Sequence, residues 1–215
     1  MGTGFLLWLV PPAAFSQVPL TPGDVVLEDT LSVDHIGRSL YAFDSLSGGQ
    51  NKFDLDLQEK VIFQGARGRV GLVVTNRRLL AIAAGQGGWR VQPLQISEQE
   101  RTEQWISSRV ALVVTPKRII GFDAGTSAWL EVGVGPHEAV EQAQVGSSTA
   151  IVLTGNNAYG LSPDAGGFFA QPLQIHEKIE SVSASAAIGR VLTSRRLLIF
   201  KAGTGAWSVT ERPIQ

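Results

Sequence analysis

The feature that most constrains the fold of this chain is a motif that recurs four times at nearly constant spacing. Each copy has an apolar stretch ending in Thr, a short polar turn, a second apolar stretch, and a glycine-rich turn before an aromatic residue. The threonines are spaced 40, 39 and 39 residues apart, at Thr75, Thr115, Thr154 and Thr193. Such a period indicates that one supersecondary unit is repeated and stacked.

A fifth, degenerate copy precedes these four. In it, Ile36 to Phe43 lies 39 residues before Thr75 to Ile82, with Leu40 opposite Leu79. We therefore predict one domain, residues 17–215, built from five units at approximately 21–60, 61–100, 101–139, 140–178 and 179–215.

Each unit divides into four strand-like pieces, and the third unit shows this well. Its apolar pieces are five to seven residues long and are separated by turn-forming residues; they span 101–107, 110–115, 118–122 and 128–134. Runs of this length, rich in Val, Ile, Leu and aromatic residues, are typical of strands. Nowhere does a helical period persist over the ten or more residues that a helix needs. The sequence predicts an all-β protein.

Four short antiparallel strands in a repeat of about 40 residues are typical of a blade of a β-propeller. The second strand of several units is apolar on both faces, as in VGLVV and VALVV. A strand that lies between two neighbouring sheets requires this pattern. We therefore predict a β-propeller of five blades, each with four antiparallel strands, in which neighbouring blades cover each other's faces.

The N-terminus suggests export. A short apolar run at residues 5–10 is followed by two prolines and a small-x-small pattern at residues 14–16, which suits cleavage before Gln17. The run is too short to span a bilayer as a helix. Residues 1–16 are therefore expected to be a signal peptide, which places the protein in the periplasm or outside the cell, without membrane insertion after cleavage. The alternative is that this run forms a buried strand.

The glycine-rich turns resemble the tryptophan-docking motif of quinoprotein-type (PQQ-like) propeller repeats. The segments that carry the resemblance are Ala42 to Gly48, Gly121 to Thr126 followed by Trp129, and Lys201 to Trp207. The resemblance implies blades with aromatic residues clamped between them. It does not extend to the quinone, because the Cys pair or aromatic lid and the Ca²⁺ site of true quinoproteins have no counterparts here. No cofactor is predicted.

The most regular polar feature is a basic pair in the turn between the second and third strands of a unit. These turns contribute Arg77, Arg78, Lys117, Arg118, Arg195 and Arg196, and the degenerate copy contributes Arg38. Guanidinium groups collected around one mouth of a propeller can hold carboxylate, sulfate or phosphate groups. Together with Trp105, which has no counterpart in the other units, they are the predicted ligand-binding residues.

A structural role for the same cations is the alternative. The segments between blades are acidic and are expected on the same face of the propeller; their acidic residues are Glu59, Glu98, Glu100, Glu138, Glu141, Glu177 and Glu180. Ion pairs between Arg and Glu of adjacent blades would absorb the cations into a structural rim.

Other chemistry has little support in the sequence. Cysteine is absent. The nucleophile-elbow motif Gly-x-Ser-x-Gly, the zinc motif His-Glu-x-x-His and the phosphate-binding glycine loop do not occur either. His137-Glu138 and His176-Glu177 recur 39 residues apart, but equivalent positions of neighbouring blades are too far apart to share one metal ion. Trp89, Trp129 and Trp207 are expected to pack between blades. We predict neither a metal site nor catalytic residues.

These observations predict a non-catalytic propeller that binds an unidentified protein partner through one face. The alternatives are a lectin-like module for an acidic glycan or another anion, and a hydrolase that uses carboxylates. The net charge of −1 predicts no general attraction to nucleic acid.

Overall fold

A computed structural model describes residues 29–99 and 102–212 of the chain. In these residues, nineteen strands form five separate antiparallel sheets, each a simple up-and-down meander. One short 3-10 helix, Ile96–Glu98, lies between the second and third sheets. No helix in this part of the chain has the length and apolar character needed to cross a bilayer.

The sheets follow the predicted repeats and are called blades 1 to 5. Blade 1 contains β1 (Leu31–Ile36), β2 (Ser39–Asp44) and β3 (Gly49–Asp54). Blade 2 contains β4 (Val61–Arg67), β5 (Val70–Thr75), β6 (Arg78–Ala83) and β7 (Arg90–Pro93). Blade 3 contains β8 (Glu103–Ile106), β9 (Val110–Val114), β10 (Arg118–Asp123) and β11 (Ala128–Gly133).

Blade 4 contains β12 (Val140–Val145), β13 (Ala150–Thr154), β14 (Asn157–Ser162) and β15 (Gly167–Pro172). Blade 5 contains β16 (Ile179–Ala184), β17 (Ile188–Thr193), β18 (Arg196–Lys201) and β19 (Ala206–Glu211). The predicted all-β propeller fold is confirmed, and the strands of the third unit agree with their predicted bounds to within three residues.

Blade 1 differs from the others in having three described strands. By the repeat period, β1 corresponds to β5, so the counterpart of β4 would fall at residues 22–28. Those residues, like the predicted signal peptide at 1–16, lie outside the described part of the chain.

The cores lie between successive blades. The second and third strands are almost wholly buried, and their two faces contribute to two different clusters. In β5, for example, Leu72 belongs to the cluster between blades 2 and 3, whereas Val73 belongs to the cluster between blades 1 and 2. This explains why these strands are apolar at every position rather than at alternate ones.

The turns between first and second strands also connect neighbouring blades. The turns of blades 2, 3 and 4 each donate a backbone N–H to a carbonyl in the equivalent turn of the next blade, as from Arg69 to Ser108 at 2.9 Å and from Ser148 to Ala186 at 2.9 Å. The blades are therefore held in sequence by apolar packing together with a chain of backbone hydrogen bonds.

Candidate binding face

The connectors between blades and the turns between second and third strands lie at the same end of the sheets, because every sheet is a meander with the same strand order. We call this end of the molecule the connector face. Backbone hydrogen bonds join its parts: Leu94 of a connector donates to the carbonyl of Arg77 at 2.9 Å, and Val134 donates to that of Lys117 at 2.8 Å. The predicted basic residues lie here.

The second cation of each basic pair is held in a triad of Glu, Thr and Arg. In blade 3, Nε and Nη2 of Arg118 donate to the two carboxylate oxygens of Glu98 at 2.8 and 2.6 Å. The hydroxyl of Thr115 donates to the same carboxylate at 2.8 Å and accepts from the backbone N–H of Arg118 at 2.9 Å. One carboxylate thus fixes both a connector and a turn.

The triad recurs with the repeat. Blade 2 has Glu59, Thr75 and Arg78, and blade 5 has Glu177, Thr193 and Arg196, each with the same two-point contact between guanidinium and carboxylate. In blade 4 the cation is replaced by Asn157, whose amide donates to Glu138 at 3.1 Å. Thr154 completes that site by a hydrogen bond to the same carboxylate.

The triad glutamates remain ionised because of their hydrogen bonds. The side chains of Glu59, Glu98 and Glu177 are fully buried. Burial alone would raise the pKa of Glu177, but hydrogen bonds from Arg196, the Gln174 backbone and Thr193 outweigh it and lower that pKa to about 2. The pKa values of Glu59 and Glu98 are lowered by the same balance of burial against hydrogen bonds.

Each triad arginine also contacts the end of the preceding blade. Nη2 of Arg118 donates to the carbonyl of Pro93 at 3.1 Å, and Nη2 of Arg196 donates to that of Pro172 at 3.1 Å. Arg78 instead places its guanidinium carbon 5.0 Å from the centre of the Phe53 ring. These three predicted ligand-binding residues therefore bind connectors to blades. The sequence suggested Glu partners from adjacent blades, whereas each Glu comes from the connector that leads into the same blade as its Arg.

The first cation of each pair faces solvent. Arg77, Lys117 and Arg195 are exposed, and no ion pair involves them within residues 29–99 and 102–212. Arg38 is also exposed and donates to the carbonyl of Leu55 at 2.9 Å. Of the predicted basic residues, these four are the exposed ones.

The connector face also carries exposed apolar residues that are not among the predicted ligand-binding residues. Leu57, Ile96 and Ile175 occupy the same position in three connectors, two residues before the triad Glu, and are 74%, 88% and 81% exposed. The fourth connector has Pro136 at that position. Their recurrence at the repeat period was the signal available in the sequence. An apolar side chain this exposed contributes little to the stability of its own blade.

Trp105 lies elsewhere. It is on β8, half-buried against the cluster between blades 3 and 4, and does not belong to the connector face. Trp89, Trp129 and Trp207 lie between blades as expected, and the indole N–H of Trp207 donates to the Phe169 carbonyl of blade 4 at 2.9 Å.

His137 and His176 are exposed in neighbouring connectors. Within the described residues, no group of three or more His, Cys, Asp or Glu side chains is arranged to hold a metal ion.

Neither a known protein family nor a curated protein matches the chain. Among solved structures it is similar to Hsv2 of Kluyveromyces lactis, at 12% identity and a TM-score of 0.39 over 81% of this chain and 59% of that one. It is also similar to HIRA(644–1017), at 12% identity and 0.43 over 72% and 53%, and to apo AztD of Citrobacter koseri, at 10% and 0.40 over 83% and 58%.

These solved structures are propeller-like, and the chain spans between half and three fifths of their length. The chain is a β-propeller protein by its own sheets and inter-blade cores. The quinoprotein-type character of its repeats stays a prediction.

Proposed function

We propose that this protein is a non-catalytic scaffold that binds an acidic, apolar segment of a partner protein on its connector face. The observation that carries the proposal is the alternation of exposed apolar and cationic side chains at repeat-equivalent positions. Leu57, Ile96 and Ile175 supply the apolar contacts, and Arg77, Lys117 and Arg195 supply the positive charge. Apolar contacts give binding energy, and complementary charge orients the partner and speeds its association.

The triads support this role by making the surface rigid. Because a buried Glu fixes each connector to the following turn, the apolar and cationic side chains project from a backbone that needs little ordering on binding. Preorganisation of this kind improves affinity by reducing the entropy lost on association. The connector glutamates themselves are occupied by Thr and Arg or Asn, which supports binding rather than acid–base catalysis at this face.

The same cations are the groups that a lectin-like anion site would use. The apolar residues between them favour a protein segment instead, because sulfated or carboxylated sugars gain little from exposed Leu and Ile side chains. Because the N-terminal residues predict export, we propose that the partner lies in the periplasm or on the cell surface.

The test uses an array of synthetic peptides in which Asp and Glu alternate with Leu and Phe, and an array in which Lys replaces the acidic residues. We expect the chain to bind the acidic array and not the basic one. The combined variant L57S/I96S/I175S and the combined variant R77E/K117E/R195E should each lose at least tenfold in affinity, because either set removes one half of the contact.

The control variant is L46S. Leu46 is 56% exposed but lies in the turn between β2 and β3, at the opposite end of blade 1 from the connector face. Equal loss with L46S, or binding that survives both combined variants, would overturn the proposal. Binding of heparin that is lost in R77E/K117E/R195E and retained in L57S/I96S/I175S would favour an anion site instead, and failure of every peptide would overturn the proposal. Turnover of glycoside or ester substrates by the wild type would refute the non-catalytic assignment.

A further inference from the structure

Among residues 29–99 and 102–212, two sheet faces at the ends of the run of blades have no neighbouring blade against them. Within the described residues, four apolar clusters fill the four spaces between blades 1 and 5. The outer face of blade 1, here the first-blade face, carries Ser32, Asp34, Ile36, Tyr41 and Phe43. The outer face of blade 5, here the fifth-blade face, carries Ile188, Arg190, Leu192, Leu197, Ile199 and Lys201.

In the described part of the chain, the two faces do not cover each other. On the first-blade face, Ile36 and Phe43 are 64% and 45% exposed, and on the fifth-blade face Ile188 is 51% exposed. The equivalent positions of the inner blades are buried, with Thr in place of Ile36. Exposed apolar area at both ends is therefore available for association.

The first-blade face has the kinds of residue that blades 2 to 5 pack against the preceding blade. Ser32 is at the position of Gly71, Ala111, Ala150 and Gly189, which are all small. The reason is steric: a Cβ on Gly71 would lie 2.6 Å from a methyl group of Val33 in blade 1, and a Cβ on Gly189 would clash with Ile151 of blade 4. Ser32 leaves similar room for a residue of a preceding blade.

Phe43 completes this pattern. It is at the position of Ile82, Phe122, Leu161 and Phe200, which are the large side chains that each blade packs against the blade before it. In blade 5, for example, Phe200 lies so close to Gly160 of blade 4 that a Cβ there would be 2.5 Å from the ring. Beside Phe43 and Ser32 an open cavity of about 630 Å³ is lined by residues of blades 1 and 2.

The fifth-blade face has the kinds of residue that an inner blade packs against the next blade, except at two positions. Ile188, Leu192 and Leu197 are at the positions of Val70, Val74 and Leu79, which face the next blade. Arg190 and Lys201 replace Leu72 and Ala83 at two further positions. Blade 5 therefore presents an apolar face with two positive charges to whatever covers it.

The charge on the first-blade face is complementary. Lys52 and Asp54 neutralise each other there, with Nζ 2.9 Å from a carboxylate oxygen, whereas Asp34 has no ion-pair partner among the described residues. The positions equivalent to Arg190 and Asp34 are those of Leu72 and Val113, which belong to one cluster between blades 2 and 3. A blade 5 that packs on a blade 1 as successive blades do would bring Arg190 close to Asp34.

We propose that the fifth-blade face of one chain packs on the first-blade face of a second copy of this chain, so that the blade-to-blade packing continues from one chain to the next. The interface is heterologous, because two different faces meet. Phe43 is covered by Ile199 and its neighbours, and Arg190 pairs with Asp34 of the partner copy. This inference is independent of the connector face, which remains open in the assembly.

The test measures the mass of the full chain in solution by light scattering and sedimentation, across a concentration series. We expect reversible association of the wild type. R190E and D34R should each weaken it by at least tenfold, because each opposes like charges across the interface. Mixing the two variants should restore association, since the reversed residue of each finds an opposite charge on the other.

The control is R195E, an exposed cation in the turn of the same blade that points to the connector face. It should associate like the wild type, and the combined variant R77E/K117E/R195E should also associate while losing the peptide binding described above, so that failure of one proposal can be told from failure of the other. Far-ultraviolet circular dichroism should show that all variants stay folded, because these side chains are exposed. A wild type that stays monomeric up to roughly 100 µM would overturn the proposal, because its free energy of association would then be less than about 6 kcal/mol. Association that neither charge reversal affects, or that mixing does not restore, would also overturn it.

Discussion

Arg195 and Arg196 are adjacent in the sequence and differ in almost every physical respect. Arg195 is exposed, and its side chain donates a long hydrogen bond of 3.4 Å to Gln174. Arg196 is buried and binds both oxygens of Glu177. Because a buried pair stabilises the fold only while both partners are present, the two residues should respond very differently to substitution.

Removal of the Glu177 carboxylate should therefore destabilise the folded protein. We expect Glu177→Gln to lower the free energy of unfolding by about 3–5 kcal/mol, since it leaves the charge of Arg196 buried and unpaired. Arg195→Gln should change it by less than about 0.5 kcal/mol, as surface substitutions usually do. Urea denaturation at pH 7 measures both, and equal effects would show that the triad does not stabilise the fold.

The low pKa of Glu177 also predicts how stability depends on pH. Its pKa falls from an ordinary value of 4.5 to about 2 on folding, so the ionised carboxylate stabilises the folded state above pH 4.5. That contribution, about 3 kcal/mol from this shift, should be lost as the pH falls from 4.5 towards 2. Denaturation curves between pH 7 and pH 2.5 should show the loss in the wild type and a smaller slope in Glu177→Gln; identical slopes would contradict it.

At the scale of the element, neighbouring blades approach most closely at their small residues. Gly146, in the turn between β12 and β13, lies against the backbone carbonyl of Ser185 in the equivalent turn of blade 5. A backbone atom cannot move aside as a flexible side chain can. Gly146 is thus needed for the contact between blades 4 and 5.

Gly146→Ala should therefore separate the turns of blades 4 and 5. A Cβ at this position would lie far inside van der Waals contact with the Ser185 oxygen, so we expect a loss of about 1–3 kcal/mol or more in the free energy of unfolding. Gly167→Ala is the matched control in the same blade, because a Cβ there meets nothing within 4 Å. Thermal unfolding compares the two, and a stable Gly146→Ala protein would show that this contact is looser than it appears in the structure.

Across the whole molecule, one repeat position is buried in blades 2 to 5 and exposed in blade 1. Phe122 and Phe200 are fully buried between blades, whereas the equivalent Phe43 is 45% exposed on the first-blade face. The energetic role of this position depends on whether a neighbouring blade is present, because the stability of stacked repeats is largely a sum of intrinsic and nearest-neighbour terms.

Substitutions at this position should therefore lower the free energy of unfolding more in an interior blade than in the end blade. Phe200→Ala should lower the free energy of unfolding by about 3–5 kcal/mol, the usual cost of deleting a buried Phe side chain. Phe43→Ala should cost much less in dilute solution and should weaken association of the chain at higher concentration. Denaturation at two protein concentrations tests this; an equally large loss at low concentration would show that Phe43 is covered within its own chain.

The sequence predicted the repeat, the strands and the packing of Trp89, Trp129 and Trp207 between blades, because these follow from periodicity and local strand patterns. It also placed acidic and basic residues on one face. It did not distinguish Arg77 from Arg78, since two adjacent cations differ only in the direction that the backbone gives them at the start of β6.

The amino-acid sequence determined the all-β repeat by itself, because short apolar runs and turn residues act over a few neighbouring positions. The tertiary structure decided which cations are free, which glutamates are buried, and that Leu57, Ile96 and Ile175 face solvent. It also decided that Phe43 lies on an open face while Phe200 does not. These properties depend on residues about 40 positions away in a neighbouring blade, and only the packing of one blade on another brings them together.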